Sequence, residues 1–162
     1  MRIIGIDPGY AIVGWGIVDY NGNQFRVVDY GAVTTAAHQP LELRLKAIYD
    51  ELGDIIARHK PDAMAVEELF FNSNTTTAIA VGQARGVILL SGINNCLTVT
   101  GYTPLQVKQA VAGYGRADKT QVQQMTRAIL HLNEIPKPDD TADALAIAIC
   151  HAHSYRMGGL GR

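Results

Sequence analysis

The sequence predicts an α/β fold: a five-stranded mixed sheet, three antiparallel strands first, with helices on both faces. Three observations predict it. Short apolar runs rich in Ile and Val open the chain and return at Ala63 and Leu97. An Asn21-Gly22 pair separates two of the early runs, a strong hairpin signal. From Leu41 onward, apolar residues recur at three- and four-residue spacing, as amphipathic helices require. Helices that alternate with the later strands cover a sheet on both sides.

The first element lies in RIIGIDPGY. Ile3 to Asp7 is apolar until its last residue and reads as a strand buried on both faces. It ends in a carboxylate, and Pro8-Gly9 turns the chain at once, where the backbone can pass close to a metal or phosphate. Ile12 to Asp19 is a second strand, with Trp15 and Ile17 on one face and Gly14 and Gly16 on the other. Phe25 to Val33 is the third. Leu41, Leu45, Ile48, Leu52, Ile55 and Ile56 form one face of a helix over Leu41 to His59. Ala63 to Glu67 is a fourth strand, again apolar and again ending in a carboxylate.

A long helix follows from about Thr76 to Ile93, carrying Gly82, Gly86 and Gly92. Each glycine costs a helix up to ~1 kcal/mol relative to alanine, and close approach is the usual compensation. Leu97 to Thr100 is the fifth strand. Helices over Leu105 to Ala112 and Lys119 to His131 flank the break AGYGR. Asp139 caps a last helix that carries Asp140, Asp143 and the apolar run LAIAIC.

At 162 residues the chain suits one domain, placed at residues 1–155, with the glycine-rich end 156–162 as a flexible tail. Cys96 and Cys150 are far apart and match no metal or redox spacing, which fits reduced thiols in a cytoplasmic protein. No apolar run reaches the ~18 residues of a membrane span, and the start is unlike a signal peptide. Net charge is near zero, 14 basic against 15 acidic side chains. Its distribution is uneven: from Leu69 to Asn133 the only acid is Asp118, beside Arg85, Lys108, Arg116, Lys119 and Arg127. A positive middle with acids gathered elsewhere can bind a polyanion and metal ions at different places.

Asp7 and Glu67 end strands, and Asp140 and Asp143 open the last helix at i and i+3, on one face. Chain order alone does not place the first and fourth strands side by side. If they are neighbours, four carboxylates converge and repel unless cations hold them. Hard oxygen ligands suit Mg²⁺ or Mn²⁺, and two such ions form a phosphodiester-cleaving arrangement. Each acid alone has an ordinary reading, as an exposed strand end or a favourable first-turn charge. Four together favour the metal site.

The segments GIDPG, AVEELFF, GQARGV, QVKQAVAGYGRADKTQVQ and DDTADALAIAICHAH resemble the bacterial Holliday-junction resolvase family RuvC, from Arg2 to about His153. The resemblance implies an RNase H-like fold, a homodimer and a Mg²⁺-dependent endonuclease in the bacterial cytoplasm. It implies symmetric nicking of four-way junction DNA in recombination and repair, beside a branch-migration motor. Asp7, Glu67, Asp140 and Asp143 match the family's catalytic acids and metal ligands, with two Mg²⁺ per site and Mn²⁺ as a substitute. Lys108 and Lys119 match lysines near the cleaved strand, and Lys119 could stabilise the transition state. Phe70 matches an aromatic placed against junction bases, and Phe71 could serve instead. Arg85 and Arg116 would add phosphate contacts. Glu68 should face away from the acids, and His151 and His153 read as structural or exposed. The helix around Gly82 and Gly86 is the candidate dimer contact.

The alternatives are another RNase H-like nuclease, a relative acting on structured RNA, half of an actin-like ATPase, and an inactive junction binder. Ribonuclease H takes its glutamate from a helix, whereas Glu67 ends a strand. The ATPases need two domains, and an inactive binder would not need all four acids.

Overall fold

Strands β1 (Arg2–Asp7), β2 (Ile12–Tyr20) and β3 (Phe25–Thr34) form an antiparallel meander in this computed structural model, which describes residues 1–69 and 75–159. Gly22 closes the β2–β3 turn in the left-handed region, at φ 97°. Helix α1 (Leu41–His59) crosses over to β4 (Ala63–Glu67), and α2 (Thr75–Asn94) crosses to β5 (Thr98–Tyr102). Both later strands run parallel to β1, and the sheet order is β3-β2-β1-β4-β5. Then come α3 (Pro104–Ala112), α4 (Lys119–Ile129) and α5 (Asp139–Gly159).

Some boundaries differ from those read in the sequence, for local reasons. Leu97 belongs to the turn that closes α2: its N–H donates to the Gly92 carbonyl after Cys96 turns at φ 61°. The fifth strand therefore starts at Thr98 and runs on to Tyr102, opposite Glu67. Asp139 is the first residue of α5 and not its cap, because its carboxylate takes the Lys137 ammonium at 2.7 Å instead. Helix α5 continues to Gly159, past residue 155, where the sequence placed the end of the domain. One expectation is overturned: Thr76–Asn94 is long and apolar enough, by those measures, to cross a membrane. In this fold the same helix packs against α1 and β5, burying Ala84 and Ile88 and leaving an apolar stripe outside.

Strand alternation divides the core in two. Ile4 and Ile6 of β1, with Val13, Trp15 and Ile17 of β2, face α1 and α2. Ile3 of β1 and Ala65 of β4 face α3, α4 and α5. By the same parity Asp7 and Glu67, last in their strands, project on the α5 side.

The α5 side of β1 and β2 is paved with glycine. A Cβ on Gly5 would lie 2.1 Å from the Ala144 carbonyl oxygen, and one on Gly14 would lie 2.0 Å from that of Asp140. At Gly16 it would meet the Leu145 side chain at 2.6 Å. The helix backbone thus rests directly on the sheet backbone. A glycine at Gly9 serves the turn itself: a Cβ there would lie 2.2 Å from the Ile12 carbonyl oxygen. The chain itself therefore occupies that side of the turn.

Replacing Gly5 by alanine must therefore lift α5. Gly5→Ala is expected to lower stability by about 1–3 kcal/mol, the range of overpacked cores. Urea denaturation measures it, and an unchanged midpoint would contradict the close seating of α5.

Candidate active site

The register of β1 and β4 builds the site. Ile6 pairs with Val66 in parallel alignment, so Asp7 and Glu67 leave the same sheet edge side by side. Above them α5 starts on the glycine floor, with Asp140 against Gly14. Asp143 follows one turn later on the same face. The order of strands, which chain order left open, thus brings the four acids together.

Their charges are felt mutually. Burial, then the charges of Glu67, Asp143 and Asp140, pushes Asp7 from 3.8 up to about 8. Burial also raises Glu67, with Asp143 adding and Lys119 and Lys108 opposing. Burial raises Asp143 by more than its hydrogen bond to Lys119 lowers it.

Lys119 is the counter-charge. It sits in the first turn of α4, which Asp118 and Gln121 fix by a reciprocal capping box. Its ammonium lies 3.1 Å from Asp143 Oδ2 and 3.7 Å from Asp139 Oδ2. Burial lowers the Lys119 pKa, but its hydrogen bond to Asp143 and the acids around it carry it above the ordinary value.

A cavity of about 190 Å³ opens between Glu67, Asp143, Lys119 and Lys108, with Pro104, Val107, Val122 and Ala146 as its apolar walls. No three acids, histidines or cysteines among the described residues already form a ligand cage. The acids are coupled without being closed upon one another, and one ammonium does not neutralise them. Such an oxygen-rich, under-compensated cluster fits hard divalent cations.

A sequence profile of the family described as Crossover junction endodeoxyribonuclease RuvC matches residues 3–151. The chain belongs to this family. A relative of that name from Desulfitobacterium hafniense is 63% identical over 163 residues, covering 98% of this chain and 99% of its own. RuvC of Thermus thermophilus, solved in complex with Holliday junction substrate, superposes with a TM-score of 0.93 at 41% identity. That match covers 98% of this chain and 96% of the other. The RuvC-family fold is the RNase H-like one expected from the sequence, with the five-stranded mixed sheet described above.

Not every site residue expected for the RuvC resemblance falls in the cavity. Lys108 and Lys119 line it. Arg116 is exposed on the turn between α3 and α4. Arg85 is engaged elsewhere: its Nε–H donates to the Glu67 carbonyl at 3.0 Å. Phe70 and Phe71 lie outside the described residues. Glu68 borders a separate cavity with Leu69, Gly82 and Arg85, away from the acids, as its parity required. The two histidines are structural. His151 is buried with its Nδ1 2.9 Å from the Tyr102 hydroxyl, and His153 packs on Phe25 with its Nδ1 3.1 Å from the Ala110 carbonyl. Sequence reasoning missed the second cation pair, Lys137 with Asp139, which lies beside Lys119. The Lys137 pair is local, two residues apart, but its place beside Lys119 depends on α4 meeting the start of α5.

The raised pKa of Asp7 has a definite linkage sign. Between 3.8 and about 8 the folded chain keeps a proton that the unfolded chain has lost. The stability of the metal-free protein is therefore greatest at the acid end and declines as pH rises through that window. Glu67 and Asp143 act in the same direction. Thermal melts in chelator between about pH 5 and pH 8 should show Tm falling, with Asp7→Asn flattening the slope. A Tm that rises across this range in the unaltered protein would refute the assignment.

Proposed function

We propose that this chain is a divalent-metal-dependent endonuclease that resolves four-way DNA junctions by paired, symmetric nicks. The single observation that carries the reading is the adjacency of Asp7 and Glu67 at one sheet edge, facing the acids of α5 beside Lys119. Membership of the RuvC family supports the reaction class, and the relative solved with Holliday junction substrate supports the substrate.

Asp7, Glu67, Asp140 and Asp143 would hold two Mg²⁺ ions, with Mn²⁺ as a substitute. Bound there, the ions supply Lewis acidity and charge neutralisation for phosphodiester hydrolysis. The chain's own groups do the rest. The sheet edge holds Asp7 and Glu67 rigidly, so little reorganisation accompanies the reaction. Lys119, once freed from Asp143, donates to a phosphate oxygen and stabilises charge that grows in the transition state. Lys108 adds a phosphate contact within the cavity, and Arg116 adds one outside it. Such contacts position DNA without reading sequence. Phe70 or Phe71 stacks on exposed bases at the junction, a contact worth about 1–3 kcal/mol per base.

The working unit is a homodimer, since a four-way junction offers two equivalent strands to a two-fold pair. The contact is the outer face of α2. Ile79, Leu90 and Ile93 are 70%, 53% and 60% exposed there. With Gln83 and Gly86 they form a stripe at alternating four- and three-residue spacing, the pattern of helix pairing. Among the described residues, and apart from the helix's own nearby backbone, nothing comes within 4 Å of a Cβ built on Gly82 or Gly86, so a partner helix can approach closely. A branch-migration motor is the further partner the family resemblance implies. The setting is the bacterial cytoplasm, on the nucleoid when DNA is bound.

Cleavage of a labelled four-way DNA junction in Mg²⁺ tests the reaction, with structured RNA and an RNA–DNA hybrid as competitors. Junction DNA should be cut in preference, and preferential cutting of RNA would reject the assignment. Asp7→Asn should retain junction binding and abolish cutting; normal cutting by this variant would remove Asp7 from the site. Leu90→Asp should convert a dimer to a monomer in sedimentation, and a monomeric unaltered protein, with and without junction DNA, would discard the α2 interface.

A further inference from the structure

We propose that Arg85 is a positioning residue for the catalytic acid Glu67 and is not a DNA-phosphate contact. The inference rests on the reading of Glu67 as a metal ligand.

Three observations carry it. First, the Arg85 Nε–H donates to the backbone carbonyl of Glu67 at 3.0 Å. Glu67 is the last residue of β4, beyond its paired positions with β1, which end at Val66. The strand tip is held on the β5 side by Tyr102, whose carbonyl accepts the Glu68 N–H at 2.8 Å. Arg85 provides the second anchor, from α2. Together the two bonds fix one peptide unit, that between Glu67 and Glu68, through both its carbonyl and its N–H.

Second, Arg85 lies in a different cavity from the acids. It lines a space with Glu68, Leu69 and Gly82, whereas Glu67 opens into the space shared with Lys108, Lys119 and Asp143. Glu67 and Glu68 leave the strand end on opposite sides, so Arg85 reaches Glu67 only through the backbone. Third, the room for this arrangement is built into β5. A Cβ on Gly101 would lie 2.9 Å from Glu68 Oε1 and 3.5 Å from Arg85 Nη2. Glycine at that position lets both side chains lie flat across the strand end.

Holding a ligand's backbone matters because Mg²⁺ demands near-ideal octahedral geometry and tolerates little displacement of its oxygen donors. Groups one step behind metal ligands typically change metal affinity by about 10–100-fold when removed. A phosphate contact has a different signature. It weakens DNA binding even without metal and lowers the salt slope by about one.

The test uses the intact protein. Mn²⁺ affinity is measured by calorimetry without DNA, and junction affinity is measured in chelator over a salt series. Arg85→Gln and Arg85→Lys should both lose about tenfold or more in Mn²⁺ affinity. Both should bind the junction within about twofold of the unaltered protein and with the same salt slope. The lysine variant is decisive, because it keeps the charge but cannot place a donor on the Glu67 carbonyl through a rigid planar fork. Unchanged Mn²⁺ affinity in the folded variants would overturn the proposal. So would weaker, less salt-dependent junction binding that lysine restores, which would mark a phosphate contact. Glu67→Gln is the control: if it leaves Mn²⁺ affinity intact, the metal-ligand reading fails on its own account. Should the Arg85 variants fold poorly, nitrogen-15 spectra of the unaltered protein serve instead. The Arg85 Nε–H signal should be protected from exchange and shift on adding Mg²⁺, but not on adding junction DNA in chelator. An exposed, fast-exchanging signal that responds only to DNA would defeat the assignment.

Discussion

The structure depends on one contact: the backbone of α5 lying on the backbones of β1 and β2. Gly5, Gly14 and Gly16 remove the side chains that would separate them; carbonyl oxygens of α5 fill the Cβ space at Gly5 and Gly14, and the Leu145 side chain fills it at Gly16. This closeness sets the height of the helix above the sheet to within a fraction of a side chain. It thereby sets the distance of Asp140 and Asp143 from Asp7 and Glu67. A bulky residue at any of the three glycines would lift the helix and open the cluster, however well the rest of the core packed.

The same contact creates an electrostatic problem. Four carboxylates at the end of a buried sheet are disfavoured as charges, and Asp7 bears most of the cost because it is held deepest among the others. The fold answers in part with cations brought from a different direction. Lys119 comes from the capped start of α4 and Lys108 from α3, and both face Glu67 across the small cavity. The remaining imbalance is the feature expected of a site whose missing charges arrive with a ligand. Stability given up at this edge is supplied elsewhere, by Ile and Val side chains on both faces of the sheet.

The two faces have separate tasks. The α5 face carries the acids, the lysines and the cavity. The other face carries α1 and α2, which support the sheet and leave one apolar stripe of α2 in solvent. Arg85 joins the two, since it stands on α2 and ends on the peptide of Glu67. The helix that presents the outer stripe is therefore also the one that braces the end of β4 from behind.

Much of this was legible in the residues. Alternation along IVGWGIV, the Asn21-Gly22 turn and the helical spacing from Leu41 to Ile56 determined the elements, because local periodicity follows from backbone geometry. Acids at the ends of two apolar strands, with two more at i and i+3 in the last helix, identified the candidate site, since each alone is ordinary and only the set calls for a ligand. Three things were decided only by the tertiary structure. The parallel pairing of β1 with β4 put Asp7 beside Glu67, and no local preference specifies which strands become neighbours. The engagement of Arg85 with a carbonyl, rather than with solvent, depended on where α2 crosses the sheet. The pairing of Lys119 with Asp143 depended on two helices from different parts of the chain meeting at their first turns. Local sequence governs conformation through steric terms that act over a few residues. Which charges face one another is set by packing across the whole chain.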